Sequence, residues 1–521
     1  MNIPAAGSGV LLHPTALPGP GSCGSFGAAA RDWIDLLVAA RVDVWQVLPL
    51  APTDGTGSPY SSPSGSALNP WLIDADDLLA ADLIHRDDHR TLPDHGGSRL
   101  EPSRAAERAA AIAVALGRHW SGQSPERVAQ FEAWRRNQQA WLPDHCRFMV
   151  LRALQSGRPW WEWPGPLAQR QQRAIQELER RHGQELLQEA LLQWQLQEQW
   201  QALQRRAHAG GLALVGDLPF YVAHDSADVW CRRGLFSVRL DGSLDQQSGV
   251  PPDYFSATGQ LWGTPVYRWW RHRLGGFRWW LQRLERQLDL FDLLRLDHFR
   301  ALEAYWSVPG GAATAEHGQW IPSPGRALLD RLLRLCRRQN RLLQGRLPLI
   351  AEDLGVITPP VEALRDRFAL PGMKILQFAF DGAADNSYLP ANYVGDRWVV
   401  YTGTHDNATT VGWWQDLDGD SRERVARAVG GSVQAPGWQL LELGLASGAE
   451  LVVVPLQDLL ELGDEARFNT PGTASGNWSW RLDRPVAALH DKIHGLGAMA
   501  SRYGRGTATG STSGTGSTSG T

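Results

Sequence analysis

Clustered cysteines are missing from this 521-residue sequence, which has only four cysteines in all. They are widely separated, and no two of them form a Cys-x-x-Cys pair: Cys23, Cys146, Cys231 and Cys336. This spacing argues against a disulfide framework, a redox pair and a zinc knuckle. We therefore interpret the four cysteines as packing residues.

An excess of positive charge is also missing. The formal net charge is -4 and the pI is near 6.4, so nothing in the composition attracts a phosphate backbone or an anionic lipid. No stretch has the ~18 uninterrupted apolar residues that a bilayer requires, and Met1–Gly9 lacks the basic and apolar regions of a signal peptide. We expect a cytoplasmic protein that has a neutral substrate. We do not expect this protein to bind nucleic acid or a membrane.

Tryptophan, in contrast, is abundant, with 25 residues in the chain. An indole ring is flat and apolar and has one polar N–H at its edge. Such a face suits the CH-rich face of a pyranose ring, although most single tryptophans are core residues. Tryptophan alone therefore does not identify a binding site, and the surrounding motif has to decide.

Short apolar runs that end in a polar residue are typical of buried parallel strands, and the chain has eight of them. They are Gly9–His13, Val42–Leu50, Ala213–Val222, Leu293–Arg300, Leu347–Gly355, Gly372–Phe380, Arg397–His405 and Leu451–Leu456. Most are followed by a segment long enough for a helix, such as Ala327–Leu343 and Pro360–Phe368. This repeated unit predicts an α/β protein with a closed (β/α)8 barrel. A doubly wound open sheet is the alternative, but no Gly-rich phosphate turn follows the first strand.

The remaining segments predict insertions into one catalytic domain that covers residues 1–506. About 160 residues, 51–210, separate the second and third strands, and their Arg104–Gly117 and Ala168–Ala209 stretches are rich in helix-forming residues. We expect a mainly helical subdomain there, in which Leu191–Leu203 is a packing helix. A second insertion, 226–287, is expected to contain loops that cover the substrate. The Gly/Ser/Thr-rich residues 507–521 predict a disordered tail.

In a (β/α)8 barrel the chemistry takes place at the carboxyl ends of the strands. The residues at the ends of the predicted strands are His13, Asp217, Asp297, Glu352, His405, Asp406 and Asp458. Asp297 has Arg295 and Arg300 close to it in sequence. These cations either form a purely structural ion pair with Asp297 or hold it ionised, as a nucleophile requires.

Glu352 ends the next strand and supplies a second carboxyl group. A retaining glycosidase needs two carboxyl groups roughly 5–5.5 Å apart, one to attack the anomeric carbon and one to protonate the leaving oxygen. We predict that Glu352 is the acid and later the base, with a raised pKa. Asp353 is the alternative acid, but alternation along a strand sends its side chain to the opposite face.

Asp406 is a third carboxylate at a strand end, with His405 beside it. A pair of this kind is often only structural. In the functional interpretation Asp406 accepts hydrogen bonds from two sugar hydroxyls and holds the ring distorted towards the oxocarbenium-like transition state, while His405 donates to the same sugar.

These three strand ends resemble the nucleophile, acid/base and stabiliser motifs of the α-amylase superfamily, and other segments make the chain more similar to amylomaltases, the disproportionating 4-α-glucanotransferases. The similar segments are Ser8-Gly-Val-Leu-Leu-His-Pro-Thr-Ala-Leu-Pro18, Gly57-Ser-Pro-Tyr-Ser-Ser62, Gly216-Asp-Leu-Pro-Phe-Tyr-Val222, Gly249-Val-Pro-Pro-Asp-Tyr254, Gly259-Gln-Leu-Trp-Gly263, Arg467-Phe-Asn-Thr-Pro-Gly-Thr473 and Asn477-Trp-Ser-Trp-Arg481. The resemblance extends from about Gly7 to Tyr503.

The resemblance implies a catalytic role for Asp297 as nucleophile, Glu352 as acid/base and Asp406 as transition-state stabiliser. It also implies sugar contacts by Tyr60, Asp217, Arg295, His405 and Asn469, with Trp262 on a loop that folds over the glucan. Asp381, after the sixth strand, is a weaker candidate. The family has no essential metal or organic cofactor and no separate C-terminal β domain, so we expect neither here.

The expected activity is transfer of an α-1,4-glucan segment to the 4-hydroxyl of glucose or of another glucan, by a retaining double displacement. Its partners are then α-1,4-glucans, malto-oligosaccharides and glucose, and no obligate protein partner is indicated. A hydrolytic α-amylase or glucosidase would use the same three carboxylates, so it remains the main alternative. A non-catalytic glucan-binding protein would need only the tryptophans.

Overall fold

The computed structural model describes residues 6–19, 21–94, 96–252, 257–473 and 475–506. The twelve strands of these residues are β1 (Gly7–Leu11), β2 (Val44–Gln46), β3 (Ala213–Leu218), β4 (Gln246–Val250), β5 (Gln260–Pro265), β6 (Leu293–Leu296), β7 (Ala304–Pro309), β8 (Gln319–Pro322), β9 (Leu349–Ala351), β10 (Gly372–Ile375), β11 (Trp398–Tyr401) and β12 (Leu451–Pro455).

Eight of these strands form one parallel sheet in the order β10-β11-β12-β1-β2-β3-β6-β9. The first and last strands of this order meet, because the Ala351 N–H donates to the Pro371 carbonyl at 2.8 Å. Apolar side chains from all eight strands fill the interior, among them Val215, Ile350 and Met373. The fold is therefore a (β/α)8 barrel, as the repeated β-then-α pattern predicts.

Each predicted strand overlaps one strand of the barrel, but most of the predicted segments are too long at their carboxyl ends. Val42–Leu50 was expected where only Val44–Gln46 is paired, and Leu293–Arg300 where the strand ends at Leu296. Most of the excess residues remain buried beyond the end of the sheet, so burial continues after hydrogen bonding between strands has stopped. Apolar runs report burial, and they do not mark where a strand ends.

Nineteen α-helices are present in the described residues. They are α1 (Ala28–Ala39), α2 (Ala75–Ala80), α3 (Arg86–Arg90), α4 (Pro102–His119), α5 (Pro125–Asn137), α6 (Leu142–Leu154), α7 (Gly165–Ala168), α8 (Gln172–Arg181), α9 (Gly183–Ala209), α10 (Ala227–Cys231), α11 (Trp269–Leu274), α12 (Arg278–Leu290), α13 (Gly325–Arg338), α14 (Pro359–Arg367), α15 (Thr410–Asp416), α16 (Gly419–Ala428), α17 (Pro436–Leu445), α18 (Leu456–Leu459) and α19 (His490–Arg502).

The long segment between β2 and β3 contains helices α2 to α9. Helix α9 buries Trp194 and Trp200 on its way back to the barrel. Two buried glutamines of α9 each hold one residue of the segment by its backbone. Gln193 accepts from the N–H and donates to the C=O of Leu68, and Gln199 does the same for Asp74, all at 2.9 Å. The Gln- and Trp-rich run 191–203 is thus a packing helix.

A second, four-stranded antiparallel sheet, which the sequence pattern does not reveal, has the strand order β5-β4-β7-β8. Strands β4 and β5 come from the insertion after β3, whereas β7 and β8 come from the segment after β6. The sheet brings the two segments together and carries Trp262 on β5.

After β12 the described chain forms α18 and α19 and connecting turns. None of the described helices combines the length and the apolar composition that a membrane span requires. The four cysteines are free thiols. Residues 507–521, for which we predict a disordered tail, lie outside the described residues.

Candidate active site

The carboxyl ends of β3, β6 and β9 stand side by side. Leu218 is paired with Leu296, and Leu296 with Ala351, so Asp297 and Glu352 follow their strands at the same level. The backbone fixes this level, because the Asp297 N–H donates to the Leu218 carbonyl at 3.0 Å and the Glu352 N–H donates to the Leu296 carbonyl at 3.1 Å. The two predicted catalytic carboxyl groups are therefore on neighbouring strand ends.

Arg295 connects two of the carboxylates. Its Nη1 donates to both carboxylate oxygens of Asp217 at 2.7 and 2.9 Å, and its Nη2 lies 2.9 Å from Asp297 Oδ1. Arg295 and Asp217 are buried, whereas the Asp297 side chain is 30% exposed and can be reached by a substrate. Arg300 does not pair with Asp297. It donates to the Val356 carbonyl at 2.6 Å and lies over the Trp320 ring.

Two backbone amides hold the Glu352 carboxyl group. The His298 N–H donates to Glu352 Oε2 at 2.6 Å, and the Leu354 N–H donates to Oε1 at 3.2 Å. His298 has a φ of 51°, in the left-handed region that non-glycine residues rarely adopt. This turn directly after Asp297 brings the His298 N–H to Glu352, so one turn positions both carboxyl groups.

The pKa of Glu352 is higher than that of Asp297. Burial raises the pKa of Glu352 to about 8, against the opposing charge of Arg295, and the neighbouring Asp297 charge raises it further. Burial raises the pKa of Asp297 to about 6, and Arg295 again opposes the shift. Burial thus outweighs the cation that we expected to dominate. At neutral pH Asp297 is mainly ionised and Glu352 mainly protonated, the states that a nucleophile and a general acid need.

Asp353 points away from Glu352 and is occupied elsewhere. Its Oδ1 accepts the Met373 N–H at 2.8 Å and its Oδ2 accepts from Arg365 Nη1 at 2.6 Å. These partners belong to β10 and α14, and strand alternation gives Asp353 a different direction from that of Glu352. Asp353 is therefore not placed to act as the acid in place of Glu352.

Asp406 lies in the loop after β11, next to a polar network. Its Oδ1 accepts from Asn469 Nδ2 at 2.7 Å, and its Oδ2 lies 3.4 Å from His405 Nε2. Arg467 donates to the Asp406 carbonyl at 2.6 Å and to the Asn469 carbonyl at 2.7 Å. The Asp406 side chain is 44% exposed, so its second oxygen remains accessible to a ligand. His405 is buried, and burial lowers its pKa.

Tyr60 contacts both Asp217, the partner of Arg295, and His405, the neighbour of Asp406. Its hydroxyl donates to Asp217 Oδ2 at 2.7 Å, and its ring stacks on His405 with centroids 5.2 Å apart. Trp478 packs against both rings, at 5.8 Å from Tyr60 and 6.0 Å from His405. His13, at the end of β1, is buried nearby, and burial lowers its pKa to about 3, so it is neutral.

Trp262 approaches from the antiparallel sheet. Its ring lies edge-on to His298 at 4.8 Å and 6.0 Å from Tyr221, and the residue is 37% exposed. Strand β5 therefore extends over the turn that carries Asp297. Asp253 and Tyr254, which belong to a motif of the resemblance, lie outside the described residues.

The hydrogen bonds of the strand-end residue Asp458 and of the binding candidate Asp381 lead away from this group. Asp458 is buried in α18 and accepts hydrogen bonds from Thr402 Oγ1 and from the N–H and Oγ1 of Thr410, at 2.6 to 2.7 Å, so it holds loops together. Asp381 accepts the Ala383 N–H at 2.9 Å in a local turn. Its hydrogen bonds do not connect it to the other site residues.

Three residues of the site were not singled out from the sequence: His298, which acts through its backbone N–H, and Arg467 and Trp478, which support Asp406, His405 and Tyr60. Arg467 and Trp478 lie in segments that resemble the family, and this was the available signal. No local pattern reveals the left-handed turn at His298. Within the described ranges, His, Cys, Asp and Glu side chains form no group of three that could hold a metal ion.

Comparisons with known proteins agree on one family. The model of a family described as 4-alpha-glucanotransferase matches residues 12–487. The 4-alpha-glucanotransferase of Thermus thermophilus is 44% identical over 490 residues, which are 92% of this chain and 95% of that protein. The 4-alpha-glucanotransferase of Synechocystis sp. is 42% identical over 503 residues, 96% of this chain and 98% of that protein. An amylomaltase from Streptococcus agalactiae, solved in complex with acarbose, matches with a TM-score of 0.90 and 30% identity, over 96% of this chain and 100% of that one. This chain belongs to the 4-alpha-glucanotransferase family.

Proposed function

We propose that this protein is an active 4-α-glucanotransferase that moves a segment of an α-1,4-glucan to the 4-hydroxyl of glucose or of another glucan. The observation that carries this proposal is the placement of the Asp297 and Glu352 carboxyl groups on neighbouring strand ends, with Arg295 2.9 Å from Asp297. Burial raises the pKa of Glu352, to about 8, above that of Asp297, at about 6. An ionised nucleophile beside a protonated acid is the arrangement needed for glycosidic bond cleavage.

In the first half of the reaction, the Asp297 carboxylate attacks the anomeric carbon of the bound glucan. Glu352 gives its proton to the departing glycosidic oxygen, and a covalent β-glucosyl-enzyme forms. The ion pair of Arg295 with Asp297, at 2.9 Å, favours the ionised carboxylate and fixes its position. The His298 and Leu354 amides fix the Glu352 carboxyl group while it loses its proton.

In the second half, the ionised Glu352 removes the proton from the 4-hydroxyl of the acceptor sugar. That oxygen attacks the anomeric carbon, the bond to Asp297 breaks, and a new α-1,4 linkage forms with net retention. Glu352 regains its proton in this step, so the enzyme returns to its starting state.

The remaining residues bind the sugar in the active centre. Asp406 accepts hydrogen bonds from sugar hydroxyls, and its partner Asn469 orients it through the 2.7 Å bond. His405 and Arg295 donate to the same sugar, Tyr60 packs against it, and Asp217 holds Arg295 and Tyr60 in place. Contacts that tighten as the ring flattens stabilise the transition state rather than the bound substrate. Asp381 remains a weaker candidate at the periphery.

Transfer requires that a sugar hydroxyl reach the glucosyl-enzyme before water does. Trp262 covers the turn that carries Asp297 and offers an apolar face to the acceptor sugar. Exclusion of water by this loop region and binding energy on the acceptor side favour transfer over hydrolysis.

We also propose the domain organisation and location that follow from this function. Residues 1–506 form one catalytic unit, with a mainly helical insertion at 51–210 and a substrate-covering insertion at 226–287. The four free thiols fit a reducing compartment such as the cytoplasm. The proposed mechanism uses only side chains and backbone amides of this chain.

Hydrolysis is the alternative, and one incubation separates it from transfer. Purified protein is incubated with maltotriose, the products are resolved by chain length, and free glucose is compared with total reducing ends. We expect glucose together with a ladder of longer maltodextrins at a constant number of reducing ends. A rise in reducing ends without longer chains would identify a hydrolase, and no change in either quantity would favour a glucan-binding protein.

A further inference from the structure

The barrel closes at a seam between β9 and β10, the two ends of its strand order. One backbone hydrogen bond crosses this seam in the described residues, from the Ala351 N–H to the Pro371 carbonyl. Neighbouring pairs such as β6 and β9 keep a regular ladder over three residues. Glu352 is the residue that follows β9, so the proposed acid/base lies beside a seam that one backbone hydrogen bond closes.

The Asp353 side chain adds a second hydrogen bond across this seam. Its Oδ1 accepts the Met373 N–H of β10 at 2.8 Å, as the carbonyl of a strand would, and its Oδ2 accepts from Arg365 of α14 at 2.6 Å. The side chain is 4% exposed. One carboxylate thus connects the end of β9 to the next strand and to the helix outside it.

The neighbouring residues are shaped around this carboxylate. A Cβ atom at Gly372 would lie 2.6 Å from Asp353 Oδ2 and 2.7 Å from the Trp398 ring, so only glycine leaves room for it. The guanidinium of Arg365 and the ammonium of Lys374 lie over the Trp398 ring, at 4.7 and 4.1 Å from its centroid. These two cations balance the charge of Asp353 in a buried position.

We infer that Asp353 is a positioning residue for Glu352, a role that rests on the function proposed above for Glu352. The backbone of Glu352 is held from the β6 side, where its N–H donates to Leu296 and its carbonyl accepts from Phe299, both at 3.1 Å. On the β10 side, the neighbouring residue Asp353 makes the contact, because its side chain accepts the Met373 N–H. Asp353 therefore fixes the depth and direction at which Glu352 reaches the glycosidic oxygen.

The test uses Asp353→Asn in the full-length protein. Asparagine still accepts the Met373 N–H, but it loses the ion pair with Arg365. We expect kcat for maltotriose disproportionation to fall about 10- to 100-fold with KM changed less than about threefold, because positioning affects the chemical step more than binding. With a glycosyl fluoride donor, whose leaving group needs no proton, the first step should recover most of this loss.

The pH profile supplies a readout that a merely structural role would not change. Glu352 is faced by the charges of Arg295 and Asp297 from β6, by Asp353, and by the hydroxyl of Tyr388. Removal of the Asp353 charge should move the basic limb of kcat/KM to lower pH. Arg365→Gln leaves the Asp353 charge less balanced, so it should move the same limb to higher pH.

Glu450→Gln is the matched control. Glu450 also forms a half-buried ion pair, with Arg346 at 2.8 and 3.0 Å, but it precedes β12 at the opposite end of the barrel. This variant should lose a similar amount of thermal stability and keep the wild-type pH profile and kcat.

Equal kcat and equal pH limbs in Asp353→Asn and Glu450→Gln would overturn the inference, and so would shifts of the same sign in Asp353→Asn and Arg365→Gln. If Asp353→Asn does not fold, Arg365→Gln alone still decides through the direction of its limb. A wild-type protein that makes no longer dextrins from maltotriose would instead refute the proposed function.

Discussion

Replacement of Glu352 by glutamine tests the proposed acid/base most sharply. The structure indicates how the amide fits, because its oxygen can accept the His298 N–H, whose bond to Glu352 is the shorter at 2.6 Å, and only the longer 3.2 Å bond from Leu354 is lost. Loss of one such bond costs on the order of 1 kcal/mol, so the fold should persist. General acid catalysis contributes about 10²- to 10⁴-fold, so kcat with maltotriose should fall by that factor.

A glycosyl fluoride donor separates the two halves of the reaction. Fluoride leaves without a proton, so glucosylation of Asp297 in Glu352→Gln should stay within about tenfold of the wild-type rate. The second half still lacks its base, so fluoride release should show a burst that equals the enzyme concentration, followed by a slow steady state. Azide, an anionic nucleophile that needs no base, should accelerate this steady state and give a glycosyl azide of α configuration, because it attacks the β-glucosyl-enzyme from the face opposite Asp297.

The assay follows fluoride release in a stopped-flow or electrode measurement, with circular dichroism as the control for folding. An equal loss of rate for maltotriose and for the fluoride donor, without a burst and without rescue by azide, would refute the role of Glu352. Full activity of Glu352→Gln would refute it as well.

The geometry of the site also determines how pH and three substitutions affect activity and stability. The profile of kcat/KM against pH should be bell-shaped with limbs near pH 6 and pH 8, because Asp297 must be ionised and Glu352 protonated; a flat profile from pH 5 to 9 would contradict this. Because the pKa of Glu352 is raised, the folded state holds this proton more tightly than the unfolded state, and the wild type loses stability as pH rises from about 4.5 to about 8. Glu352→Gln has no such proton to lose, so the melting temperature of the variant minus that of the wild type should increase as pH rises through this range. Asn469→Ala removes the 2.7 Å bond to Asp406 and should lower kcat about 10- to 100-fold, while thermal unfolding shows at most a small change. Trp262→Ala should raise the ratio of new reducing ends to transferred chains in the maltotriose assay, since it uncovers the turn that carries Asp297; an unchanged ratio would exclude Trp262 from water exclusion.

The barrel could be predicted from the sequence because each parallel strand is buried on both faces and reads as a short apolar run. The antiparallel sheet could not be predicted in this way. Its strands β5 and β8 are partly exposed. The sheet also pairs segments distant in sequence, as when Gln246 of β4 pairs with Pro309 of β7. Pairing of this kind depends on the tertiary structure and leaves little local periodicity.

The rule that a carboxylate directly after a barrel strand faces the site selects Asp297 and Glu352 from the sequence, and the structure places both on neighbouring strand ends. The same rule also selects Asp458, whose buried carboxylate accepts hydrogen bonds from the backbone and threonines of neighbouring loops. It could not find His298, whose contribution is a backbone N–H in a left-handed turn. It also could not reveal that burial outweighs Arg295 in setting the pKa of Asp297.

If Asp297 carries the glucan between donor and acceptor, the covalent intermediate on Asp297 can be trapped. Glu352→Gln is mixed with a maltosyl fluoride, quenched in acid during the burst, digested and examined by peptide mass spectrometry. We expect one added glycosyl group on the peptide that contains Asp297, and no adduct in Asp297→Asn mixed in the same way. An adduct on another peptide, or a burst without any adduct, would contradict it.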